Sequence, residues 1–200
     1  AGAAVAQPLP TDPALVRGTL DNGLSYIIRR NDQPAGRIGL YLHVSTGSLN
    51  ETDQQRGIAH YLEHLAFNGS ENFPPGSVIP LFQSMGMSFG QHQNAFTSFD
   101  QTAYILMLPD VKPETVATGM KFLSDVAGRL SLVPSEIEKE RQIIIEEKRT
   151  RAGGSQRIAD EIIQKRMPGS LIGQRVPIGV EETILGVQQK DFQDYYHKWY

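Results

Sequence analysis

The sequence predicts an α+β fold, a largely antiparallel sheet packed with helices. Three observations point there: an Asn-Gly turn between two β-prone runs, a strict period-2 stretch from Ile38 to Ser45, and helical periods that dominate from Pro113 onward. Residues 1–14, rich in Ala and Pro and without period, read as a flexible arm, which leaves 15–200 as the domain. Val16 to Arg30 forms a hairpin around Asp21-Asn22-Gly23. In the next strand Ile38, Leu40, Leu42 and Val44 share one face, which puts His43 on the other. From Arg56 to Phe67 the spacing of Ile58, Leu62 and Leu65 predicts a helix.

Val78 to Met85 reads as a short helix with Pro80 in its first turn, and Gly86 and Gly90 bracket a short strand. Ala95 to Leu108 reads as a second hairpin turning near Asp100-Gln101. Pro113 to Leu130 is a helix whose stripe is Val116, Met120, Leu123 and Ala127. Ser135 with Glu138 three residues on predicts a capping box opening a helix to about Arg151, which Gly153-Gly154 ends or kinks. Ile158 to Met167 and Lys190 to Trp199 read as helices around a Gly- and Pro-rich loop at Pro168 to Gly179.

Composition narrows the chemistry. Two hundred residues, 40% hydrophobic and 20% charged, suffice for a core without staples, and the chain has no cysteine. Disulfides, thiolate metal sites and a cysteine nucleophile are thereby excluded, so a metal here must use His, Asp or Glu. Nineteen basic against 22 acidic residues, with no basic run, leave no electrostatic footprint for nucleic acid or an anionic membrane. No apolar run approaches the ~20 residues that span a bilayer. Neither a Gly-rich phosphate loop nor a Gly-x-Ser-x-Gly elbow is found. The opening Ala1-Gly2-Ala3-Ala4 resembles the first residues after a small-residue cleavage site, which fits an exported protein.

The chemistry-bearing stretch is Gly57-Ile58-Ala59-His60-Tyr61-Leu62-Glu63-His64-Leu65-Ala66-Phe67. On a helix His60 and His64 stand one turn apart on one face with Glu63 beside them, a pattern that composition alone yields in about one such chain in a hundred. Two imidazoles at i and i+4 can hold one Zn²⁺, and the neighbouring carboxylate can reach water there. A catalytic zinc site takes three protein ligands, so one more His or carboxylate is needed from another element. The richest source is the helix at Glu136 to Lys148, where Glu140 and Glu147 lie two turns apart on nearly one face and Glu146 points about 100° away. By spacing, either can ligate while the other supports. His43, His92 and His197 are weaker candidates, read as surface or packing residues.

His60-x-x-Glu63-His64, followed by Phe67-Asn68-Gly69-Ser70, then Asn94-Ala95-Phe96-Thr97-Ser98, then Ile137-Glu138-Lys139-Glu140-Arg141 and Glu146-Glu147, resembles the pitrilysin-type or M16 zinc peptidases. The wider spacing resembles the bacterial, periplasmic PqqL-like branch. The resemblance implies a zinc endopeptidase domain hydrolysing peptides or unfolded segments, with one Zn²⁺ held by His60, His64 and Glu147. It further implies Glu63 as general base, Glu140 as support behind the ligands, and Asn94 and Ala95 on a strand edge that grips substrate main chain. It implies further domains in a longer chain, a periplasmic or otherwise exported location, and a strand edge left open after Tyr200 through which copies self-associate. The competing expectations are a non-catalytic peptide-binding module of the same family and a fragment inactive without its second half.

Overall fold

The computed structural model describes residues 12–200, so the expected arm lies, up to Thr11, outside the described residues. The chain divides at Gly36 into two compact units. In the first, β1 (Leu15–Thr19) and β2 (Ser25–Arg29) pair antiparallel as the expected hairpin, with the turn closed by the Leu20 N–H donating to the Leu24 carbonyl at 2.8 Å.

The second unit, Arg37–Tyr200, holds β3 (Ile38–Val44), α1 (Ile58–Leu65), α2 (Val78–Ser84), β4 (Gln93–Thr97), β5 (Thr102–Leu108) and α3 (Pro113–Gly128). It continues with α4 (Pro134–Arg151), α5 (Gly154–Arg166), α6 (Glu181–Gly186) and α7 (Gln189–Trp199). The sheet runs β3-β5-β4, antiparallel throughout, with Leu40 opposite Leu106 and Leu42 opposite Tyr104. That register puts Leu40, Leu42, Tyr104, Leu106 and Leu108 into one core with Phe67, Phe82 and Phe122, and leaves Tyr41 and Phe96 exposed on the other face. A second core joins Ile58, Tyr61 and Leu62 of α1 to Ile137, Ile144 and Ile145 of α4, Ile184 of α6, and Phe192 and Tyr195 of α7.

Helix α1 lies between the two cores. Every residue from Ile58 to Glu63 is buried, so the expected stripe of Ile58, Leu62 and Leu65 is one buried face among several. Its polar residues at 60, 63 and 64 face α4 and β4, the imidazoles toward Glu147 and the carboxylate toward Thr97.

Four expectations need correction. Gly86 to Gly90 is not a strand: both glycines take positive φ, and the chain turns twice within the segment, leaving only an isolated bridge between Phe89 and Gln93. The buried residues of α3 are Thr115, Gly119, Phe122, Leu123, Asp125 and Val126, so of the expected stripe Leu123 is buried, Val116 and Ala127 are half-buried and Met120 is 53% exposed. Gly119 sets this register, because a side chain there would stand 2.9 Å from Leu40 Cδ1. Ser135 does not cap α4, which begins at Pro134 with Val133 as N-cap; the missing proline N–H needs no partner there, and the Glu138 carboxylate is taken by Arg141 Nη2 at 2.8 Å. The helix expected from Ile158 starts at Gly154, and α6 was not foreseen.

Asp125, fully buried on α3, ties down the loop that follows α1. It accepts from Ser70 Oγ (2.7 Å), the Asn72 N–H (2.8 Å) and Asn72 Nδ2 (2.9 Å). Burial raises the carboxyl's pKa, but these bonds and Arg129 outweigh it and hold the carboxyl below its usual range. A depressed carboxylate stabilises above the unfolded value near 3.8 and loses that contribution as pH falls through the folded value. Asp125→Asn therefore costs about 1–3 kcal/mol at neutral pH and flattens the acid limb of stability. Chemical unfolding followed from about pH 6 down to about pH 2 reads both effects.

Candidate metal centre

His60 and His64 come from successive turns of α1, and their rings meet edge to face with centroids 4.6 Å apart. Two helix turns past Glu140, Glu147 of α4 brings its Oε2 to 3.7 Å from His60 Nε2 and 3.5 Å from His64 Nε2. Among the described residues these three form the one group of metal-ligating side chains whose ligand atoms all lie within 4.8 Å of one another. Two ligands about 2.0–2.1 Å from a tetrahedral ion stand about 3.3–3.4 Å apart, so the carboxylate lies close to zinc-ligand spacing from both rings. Glu147 Oε2 is buried and has no hydrogen-bond partner, while Oε1 is ion-paired with Arg151 one turn on. An orphaned buried oxygen facing two ring nitrogens is what a cation-binding donor set requires. The residues present therefore fit zinc.

The surroundings orient each donor. His64 Nδ1 stands 2.8 Å from Glu140 Oε1, and a carboxylate only accepts, so a ring proton sits on Nδ1 and, in the neutral ring, the Nε2 lone pair faces Glu147. Asn68 Nδ2 donates to the other Glu140 oxygen at 2.7 Å. Burial works against the Glu140 carboxylate, but the bonds from His64 and Asn68 prevail and hold its pKa below the usual value. Burial also opposes charge on His64, yet the Glu140 bond and the carboxylates of Glu63, Glu140 and Glu147 raise its pKa. His60 is pushed down to about 3 by burial, then by the His64 and Arg151 charges, so it is a neutral imidazole at physiological pH. Its Nδ1 is buried without a partner.

Glu63, 8% exposed, accepts a hydrogen bond from Thr97 Oγ1 of β4 at 2.6 Å. Burial raises its pKa, against the Thr97 bond and the His64 charge, which lower it. Of the residues expected on the neighbouring strand, Asn94 is exposed on β4 with its own Oδ1 accepting the Ala95 N–H at 2.9 Å, and Ala95 packs partly into the sheet core. β4 forms one edge of the sheet and reaches the site through Thr97. Glu146 is exposed beside Arg149, His43 and His197 are exposed, and His92 is half-buried; none of them belongs to the cluster.

Four contacts escaped the sequence. Thr97, Asn68 and Arg151 each hold a site carboxylate, and Glu51 accepts the N–H groups of Gly57 and Ala59, both at 2.9 Å, at the start of α1. Only Arg151 carried a local signal, four residues after Glu147 on one helix.

The family described as Insulinase (Peptidase family M16) matches residues 26–167. The chain is 38% identical over 183 residues to "Zinc protease PQQL-like" of Arabidopsis thaliana, covering 92% of this chain and 19% of that protein. It is 35% identical over 192 residues to "Probable zinc protease PqqL" of Haemophilus influenzae, covering 96% and 21%. The crystal structure of the periplasmic protease PqqL from Escherichia coli superposes with a TM-score of 0.92 at 34% identity, over 96% of this chain and 21% of that one. The chain thus spans about a fifth of the length of these relatives.

Proposed function

The chain belongs to peptidase family M16, the insulinase family, and on that premise we propose that it carries the metal site of a zinc endopeptidase acting on peptides or unfolded segments. The observation that carries the proposal is the unpartnered, buried Glu147 Oε2 facing both His60 Nε2 and His64 Nε2. His60, His64 and Glu147 would hold one zinc ion. Bound there, zinc supplies a Lewis acid that acidifies water and polarises a scissile carbonyl.

Glu63 takes the proton of the water that attacks the carbonyl and returns it to the leaving amine nitrogen. Burial suits it to that task by raising its proton affinity toward the working pH, while Thr97 fixes one oxygen and leaves the other free to receive the proton. Glu140, itself held by Asn68, keeps the His64 ring in the tautomer that presents Nε2. Arg151 occupies Glu147 Oε1 and so leaves Oε2 to face the two imidazoles. Substrate main chain is gripped along the β4 edge at Asn94 and Ala95, which makes recognition depend on an extended backbone more than on side chains.

The length of the relatives supports further domains in a longer chain, and the periplasmic description of the Escherichia coli relative supports export. No described helix is long and apolar enough to cross a membrane. Hydrolysis of an unfolded polypeptide that a chelator abolishes and zinc restores is the expected result; hydrolysis indifferent to chelation contradicts it.

A further inference from the structure

Residues 175–187 lie beyond the stretch that matches the family and contribute no side chain to the metal cluster, yet they are fastened to both helices that carry it. On the α4 side, Lys148, next in sequence to Glu147, donates through Nζ to the Gly179 carbonyl at 2.7 Å. Buried Arg141 donates to the carbonyls of Ile184 and Val187, the latter at 2.8 Å. On the α1 side, Thr183 Oγ1 donates to the Arg56 carbonyl. Gly179 packs directly on the Arg56-Gly57 backbone: a Cβ at 179 would stand 2.7 Å from the Gly57 nitrogen, with nearer clashes to Gly57 Cα and the Arg56 oxygen. Arg175 Nε holds the carbonyl of Glu51 at 3.2 Å, and the Glu51 carboxylate in turn caps the first amides of α1.

The donor atoms come from two helices, so their mutual reach depends on how α1 and α4 are spaced at the level of Glu147. Apart from their shared apolar core, α1 and α4 are joined directly by Tyr61 donating to the Ile137 carbonyl and by His64 on Glu140, and these bonds lie ten and seven residues, about 15 and 10 Å, from Glu147 along the helix. At the Glu147 end, the bonds through Gly179 complete the fastening. We infer, resting on the metal-site reading above, that residues 175–187 are a clamp setting the separation between the imidazole pair and Glu147, with Gly179 and Lys148 as positioning residues. The clamp works through backbone carbonyls and a glycine contact, so it leaves no polar motif in the sequence.

The test is a zinc titration of the chain against a competing chelator at neutral pH. Gly179→Ala, at φ +72 and against backbone, raises the zinc dissociation constant about tenfold or more. Gly169→Ala, at φ +79 with nothing within 4 Å, carries the same backbone strain without the contact and leaves zinc affinity unchanged. Lys148→Met adds no bulk to the contact and keeps a foldable protein if Gly179→Ala does not fold. Removing a cation beside the site would on charge alone tighten a divalent ion, whereas the clamp predicts several-fold weaker binding. Gly179→Ala binding zinc as tightly as Gly169→Ala, or Lys148→Met binding as tightly as the unaltered chain or tighter, overturns the clamp. An unaltered chain that binds no zinc overturns the metal site itself.

Discussion

Glu63→Gln abolishes nearly all hydrolysis, by about 10²–10⁴-fold or more, while zinc content stays at that of the unaltered chain. The two readouts separate because Glu63 is not among the three clustered ligand atoms, although it lies on the same helix between two of them. Glutamine keeps the volume of a buried side chain and an oxygen to accept from Thr97, so α1 and its imidazoles stay in place. What disappears is the ability to take a proton, for which burial has made this carboxyl more basic than usual. Steady-state kinetics on a peptide, with metal analysis of the same samples, reads both quantities. Activity equal to the unaltered protein would remove Glu63 from the reaction.

Glu147→Ala empties the site. Loss of the carboxylate leaves two imidazoles, one of them already hard to charge, and strands Arg151 beside them without its partner. A cation then meets two ligands and a facing guanidinium where it met three ligands and a neutralised one, so zinc falls from about one per chain to near none. Glu146→Ala is the control: its neighbour's role cannot pass to it, because Glu146 is 71% exposed against Arg149 and points away from the cluster. Zinc retained in Glu147→Ala and lost in Glu146→Ala would reverse the assignment.

Much of the fold was legible where local pattern and tertiary packing agree. The period-2 alternation of Ile38 to Val44 survives as the half-buried face of β3, and the turn after Ser98 falls where polar residues separate the two runs. The α3 register was not legible, because it depends on Gly119 meeting Leu40 and Leu108 across the sheet, and no helical wheel weighs a glycine as a contact residue. Ser135 misled for a related reason: the capping pattern was present, but Pro134 started the helix first and Arg141 claimed Glu138.

In the site, His60, Glu63 and His64 were legible because helix geometry alone brings positions i, i+3 and i+4 together. Spacing placed Glu140 and Glu147 on one face but could not rank them; the family resemblance did. In the structure Glu147 faces both Nε2 atoms, while Glu140 lies behind His64 on Nδ1. Thr97, Asn68 and Glu51 stayed hidden, since Thr97 meets Glu63 across 34 residues, Asn68 meets Glu140 across 72, and Glu51 caps through backbone amides that no side-chain pattern marks.

The most direct test is an anomalous-difference map at the zinc absorption edge, from crystals grown with zinc at neutral pH. The account predicts one peak about 2.0–2.2 Å from a ring nitrogen of His60, a ring nitrogen of His64 and an oxygen of Glu147. A zinc peak held by other residues, with Glu147 turned away from the two imidazoles, would contradict it.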